Sequence, residues 1–131
     1  MNKNEQTPSE SEWKIMEVLW NSDIPLTSLE VIERLKKSDN MTPKMVRVLI
    51  NRLSKKGLLG YKVDEQDARV YHYTPLRTME ECLRDKSRKF TDCYFSGNKM
   101  NAMAALVQSF ALTDEQIEEL EKLLEERKES R

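Results

Sequence analysis

The sequence predicts a mostly α fold with one small β-hairpin (α+β), arranged in two parts. Three observations predict it. Apolar residues recur at helical spacing in six segments, most of them opened by a capping pattern or closed by a breaker. The stretch between the third and fourth segments instead alternates, is rich in β-formers and contains a polar turn. Of 131 residues only 3 are Gly and 4 Pro while 34% are charged, which favours helices with solvated faces over coil.

Met1–Thr7 is polar and expected to be disordered. Ser9-Glu-Ser-Glu12 has the form of a capping box. Trp13, Met16, Leu19 and Trp20 come next, with Ile15 alongside, so Ser9–Asn21 reads as the first helix. Trp13 and Trp20 share one face and read as core. Asp23-Ile-Pro25 breaks the chain. A second box, Thr27-Ser-Leu-Glu30, opens a helix over Thr27–Lys37 with Leu29, Ile32 and Leu35 at helical spacing. Ser38-Asp-Asn40 is a turn.

The third helix, within Met41–Lys56, is the element around which the N-terminal part is organised. Thr42 can cap it, and Pro43 fits its first turn, where no backbone donor is lost. Val46, Leu49, Ile50 and Leu53 make one apolar stripe. Lys44, Arg47, Asn51 and Lys55 fall on other faces, Arg52 flanks the stripe, and Gly57 is a stop. Leu58–Val63 and Arg69–Thr74 then read as strands joined by the polar turn Asp64–Ala68, with Pro75 ending the second. Helix, helix, helix, hairpin is the order of the winged variant of the helix-turn-helix.

Such a cationic helix face with an amide suits an acidic, hydrogen-bonding partner, and double-stranded DNA is the obvious one. Lys44 and Arg47, near the helix start, are placed to reach base edges. Thr42 caps the helix or touches phosphate, and Asn51, Arg52 and Lys55 hold the backbone. Arg69 is a phosphate contact from the hairpin. Asp64, Glu65 and Asp67 at that tip argue for a light contact rather than deep insertion. The alternative is a winged-helix module that binds only a protein partner.

Whole-chain charge is −1 and says nothing of nucleic acid. Its distribution does. Met41–Arg77 holds eight cations against three anions, and Thr113–Arg131 holds eight acids against four bases. A basic segment and an acidic tail are thus hidden in a neutral total.

The C-terminal part reads as three helices. The first starts at Thr78 and runs to about Phe95, where Ser96-Gly97-Asn98 breaks it. The second carries Met100, Met103, Ala104, Val107 and Phe110. The third opens with the box Thr113-Asp-Glu-Gln116 and continues to about Lys128. Their apolar faces are modest and make no large core. Phe90, Tyr94, Met100, Met103, Val107, Phe110, Ile117, Leu120 and Leu124 are the residues expected to bury against a second copy, giving a homodimer. The alternative is a helical hairpin packing on its own chain. The division expected is 1–76 for DNA binding and 77–131 for dimerisation.

Other classes find little support. Cys82 and Cys93 lie eleven residues apart on one helix, about three turns, and cannot bridge within it. His72 is the lone histidine, with no triad partner placed by motif and no second histidine for a metal site, so no enzyme activity, cofactor or metal is expected. No apolar run approaches membrane length and no signal region opens the chain, which predicts a cytoplasmic protein.

Three segments carry a resemblance to a known family: Ser11-Glu-Trp-Lys-Ile-Met-Glu-Val-Leu-Trp20, Thr42-Pro-Lys-Met-Val-Arg-Val-Leu-Ile-Asn-Arg-Leu-Ser-Lys-Lys-Gly57 and Tyr71-His-Tyr-Thr-Pro75. With the closing Thr113-Asp-Glu-Gln-Ile-Glu-Glu-Leu120, the chain resembles the penicillinase repressor family over nearly its whole length. The resemblance implies a homodimeric winged-helix repressor that binds one operator half-site per subunit. It also implies, for the β-lactam branch, a membrane sensor-protease that triggers cleavage before a Phe in the dimerisation helices. Ser109–Phe110 is the nearest counterpart, with Ser where the family usually has Asn. The copper-responsive branch carries clustered C-terminal cysteines, and Ile117–Arg131 has none. Met45 and Val48 stand on the reading helix where family members often have Thr, so no operator sequence carries over.

Overall fold

The elements run α1 (Glu10–Trp20), α2 (Ser28–Leu35), α3 (Pro43–Lys55), β1 (Leu59–Val63), β2 (Tyr71–Pro75), α4 (Met79–Phe95), α5 (Lys99–Ser109) and α6 (Asp114–Glu129). This computed structural model describes residues 6–130. The expectation of disorder for Met1–Thr7 falls mainly on residues outside that range. Within it, the Gln6 carbonyl accepts a hydrogen bond from Arg77 Nη1 at 3.2 Å.

Helix starts obey the capping chemistry. Ser9, Thr27 and Thr113 each accept from the backbone N–H three residues on, and Glu12, Glu30 and Gln116 reciprocate to the cap N–H. α2 is shorter than expected because the Ser38 and Asp39 N–H groups both turn back to Leu35 O, at 3.0 and 2.8 Å. β2 starts later than expected. The Arg69 N–H goes to Asp67 Oδ1 and the Val70 N–H to Asp67 O, both at 3.0 Å, so these two residues belong to the turn. Pro75 lies in the strand, paired with Leu59 at the end of the ladder, where a missing donor costs little.

Contact density divides the chain into Met1–Ser87 and Arg88–Arg131, with the division inside α4. In the first unit α1, α2 and α3 enclose one core. Ile15, Met16, Leu19, Val31, Ile32, Leu35, Val46, Leu49, Ile50, Leu53, Leu58 and Leu59 are buried in it. Each fully buried aliphatic chain is worth about 1.5–3 kcal/mol. β1 and β2 pair antiparallel, and Leu26 forms a further bridge with Tyr73 through hydrogen bonds of 2.7 and 3.1 Å. That bridge ties the loop before α2 to the hairpin.

One sequence expectation for this core is corrected, and the tryptophans prove to pack at its edge rather than its centre. Leu29 is exposed, and Val31 takes its place in the buried stripe of α2. The two lie about 200° apart around a helix, so they cannot share a face. Trp13 and Trp20 are half-buried at its margin, edge to face with centroids 5.0 Å apart, while Glu12, Ile15, Met16 and Leu19 form the buried face of α1. The Trp20 indole N–H donates to the Arg77 carbonyl at 2.8 Å.

α3 ends in a full Schellman motif. Leu58 N–H bonds Leu53 O at 3.0 Å and Gly57 N–H bonds Ser54 O at 3.1 Å. Gly57 sits at φ +79°, a left-handed position that a side chain resists even though open space surrounds it.

In the second unit the break between α4 and α5 is made by Ser96 and Gly97, both at positive φ. Asn98 caps α5 by accepting from Asn101 N–H at 2.9 Å. Phe90 lies against Tyr94 and Phe95, at centroid distances of 5.3 and 5.7 Å. Met100, Met103, Val107, Phe110, Ile117 and Leu124 are exposed along with Phe90 and Tyr94, and Leu120 is half-buried. Phe110 lies just past the end of α5, whose last residue is Ser109.

Candidate nucleic-acid interface

The interface is built on α3. Thr42 Oγ1 accepts from Met45 N–H at 3.1 Å, and Pro43 occupies the first turn. Val46, Leu49, Ile50 and Leu53 are buried, which fixes the rotation of the helix about its axis. At about 100° per residue, Lys44, Val48, Asn51 and Lys55 then lie within a sector of about 60° on the opposite side. Arg47 borders that sector on one side, Arg52 and Met45 on the other. All seven are exposed, and none forms an ion pair among the described residues.

Three other cations of the basic segment are engaged within the protein. Lys56 Nζ pairs with Glu12 Oε1 at 2.5 Å. Arg77 Nη1 pairs with Asp85 Oδ2 at 2.7 Å, which raises the guanidinium pKa. Arg69 bonds the Asp67 carboxylate through both Nε and Nη2, at 3.1 and 3.2 Å, holding that acid below its ordinary pKa. Apart from Lys62 on β1, the cations of that segment left without an ion pair among the described residues therefore all lie on the outer side of α3. Burial pushes Glu12 up, but Lys56 and the Ser9 N–H outweigh it and hold the carboxyl below its ordinary value.

The hairpin tip is closed by its acids. Asp64 accepts from the N–H groups of Gln66 and Asp67, at 3.0 and 3.1 Å, and bonds His72 Nε2 at 2.8 Å. The His72 contact is the chief reason its pKa is lowered. This satisfies the Asp64 carboxylate within the tip, and it gives His72 a structural partner.

Between α3 and the hairpin runs a groove of about 580 Å³. Lys44, Arg47, Val48 and Asn51 line one wall, and Tyr61, Tyr71 and Tyr73 the other. Sequence reasoning assigned these tyrosines no role. The signal was available, since Tyr61 pairs with Tyr73 and Val63 with Tyr71, which sets all four on one face of the hairpin.

The penicillinase repressor model matches residues 8–126. This chain belongs to the penicillinase repressor family. Within the family it resembles the penicillinase repressor of Bacillus licheniformis, at 30% identity over 120 residues, 92% of this chain and 91% of the relative. The methicillin resistance regulatory protein MecI of Staphylococcus aureus is 27% identical over 116 residues, covering 88% and 91%. Among solved structures, the DNA-binding domain of the repressor BlaI superposes with a TM-score of 0.51 at 32% identity, over 62% of this chain and 93% of that one. No helix among the described residues is long and apolar enough to cross a membrane.

Proposed function

We propose that this penicillinase-repressor family member is a cytoplasmic transcriptional repressor that binds an inverted-repeat operator as a homodimer. The observation that carries the reading is the outer face of α3. Its cations have no ion-pair partner among the described residues, while its opposite face is locked in the core. The helix is thus presented rigidly, with a width that suits the major groove.

Lys44 and Arg47 reach base edges, Met45 and Val48 offer apolar contact to thymine methyls, and Asn51, Arg52 and Lys55 hold the backbone. Thr42 is engaged in its cap. Arg69 meets phosphate by exchanging its Asp67 partner, in keeping with a light touch from the tip. The region 1–76 supplies this contact, and 77–131 supplies the dimer through its exposed apolar side chains. Two subunits read half-sites about one helical turn apart.

Subunit separation releases the operator, because a monomer keeps half the contacts and loses the avidity of the pair. A membrane sensor-protease that leads to cutting at Ser109–Phe110 would act this way. The bond lies at the exposed C-terminal end of α5.

Selection of bound sequences from random duplexes, then anisotropy titrations at several salt concentrations, tests the proposal. A selected palindrome whose affinity falls steeply with salt is the expected result. No enrichment over bulk DNA would overturn it and favour the protein-binding module. For release, mass spectrometry of the protein from induced cells should show a fragment ending at Ser109; an intact chain during derepression rejects that route.

A further inference from the structure

The hairpin face turned to the groove is built for more than packing. Tyr61 and Tyr71 stack with centroids 4.4 Å apart and planes 14° from parallel. Tyr73 supports both from beneath, at 6.2 and 6.3 Å, and its backbone is bridged to Leu26. The stacked pair is thus braced by a third ring, yet Tyr61 remains 55% and Tyr71 37% exposed. Among the described residues neither phenol has a hydrogen-bond partner. The facing wall carries Lys44, Arg47 and Asn51, and Ser54, also lining the groove, has a buried hydroxyl without a partner.

We propose that Tyr61 and Tyr71 are DNA-contacting residues, and that the groove between α3 and the hairpin seats one sugar–phosphate strand of the half-site. This rests on the operator-binding reading given above. A helix lying in a major groove is flanked by a phosphodiester strand, and the groove is continuous with the outer face of α3. Its cationic wall complements that strand, and the two phenols supply neutral donors to phosphate oxygens. A stacked tyrosine pair has few torsions left to freeze, so it contacts the strand at low entropic cost.

Neutral donors leave a signature that cations do not. They add affinity without displacing counterions, so their loss shifts the plot of log K against log salt without changing its slope. The test compares wild type with Tyr61→Phe, Tyr71→Phe and the double variant, which keep the stack and lose only hydroxyls. The probe is the inverted-repeat duplex that wild type selects from a random library. The double variant should bind about tenfold more weakly at every salt concentration, with an unchanged slope and an unchanged melting temperature. Lys55→Ala, at a residue assigned to the DNA backbone, should instead reduce the slope by about 1. Ethylation interference should lose its sensitive phosphate in the Phe variants while keeping those assigned to α3.

Wild-type affinity in the double variant would overturn the proposal and leave operator binding intact. So would a weakening matched by a loss of melting temperature, which would make the hydroxyls structural. Failure of wild type to select any duplex is a different result and removes the operator-binding reading itself.

Discussion

Lys56→Met is the most informative single change, because it separates two adjacent lysines of one basic run. Lys56 turns inward onto Glu12, whose side chain is 2% exposed against 33% for the lysine. Removing the ammonium leaves a buried carboxylate that keeps only its Ser9 contacts. Breaking a fully buried pair costs roughly 3–5 kcal/mol, and partial exposure of Lys56 lowers that here to about 2–4 kcal/mol at neutral pH.

The pH dependence gives the sign. In wild type the folded pKa of Glu12 is depressed, so its contribution is present above the unfolded value and lost as pH falls through the folded one. In Lys56→Met both lowering effects of the ammonium are gone and the folded pKa rises relative to wild type, so the deficit is largest at neutral pH and shrinks as acid protonates the carboxyl. Urea unfolding monitored by the fluorescence of Trp13 and Trp20, at fixed protein concentration between pH 4 and 8, measures both effects. Glu12→Leu combined with Lys56→Met should recover much of the loss. A deficit under about 0.5 kcal/mol at pH 7, or one independent of pH, would refute the assignment of this pair as a buried charge interaction.

Lys55→Ala, one residue earlier, should do the reverse: stability is kept, and the salt slope of operator binding falls by about 1 in anisotropy titrations. Arg47→Ala should cost about 1–3 kcal/mol of operator affinity and relax preference at one base position, read by repeating the selection with the variant. Gly57→Ala should destabilise by about 1 kcal/mol, since the position is left-handed and otherwise unobstructed; a stabilised protein in urea titration would contradict the Schellman reading. Met103→Asp with Phe110→Asp should raise the dimer dissociation constant in sedimentation velocity, and an unchanged dimer would move the interface elsewhere.

Much of this was legible in the chain because it depends on local rules. Ser9, Thr27 and Thr113 marked helix starts through hydrogen bonds that close within three residues. The stripe Val46–Leu53 fixed which side of α3 is buried, and so which cations face out. Leu29 misled because spacing from one stripe member does not locate the centre of the face, and the packing of α1 and α3 around α2 chose Val31. The hairpin tip misled because the Asp67 carboxylate captured the backbone of Arg69 before the ladder could.

Sequence alone determined the order of elements, their caps and the amphipathic reading helix, because each is set by residues within a turn or two. Only the tertiary structure decided which cations are free. Lys55 and Lys56 are neighbours of equal charge in the chain, and they differ because Glu12, 44 residues away from Lys56, is brought against one of them. The tyrosine wall likewise arises from strand register, and its place opposite Lys44 and Arg47 arises from packing. Partners far apart in sequence leave no local pattern, and the charge pattern of a surface is what remains after such partners have met.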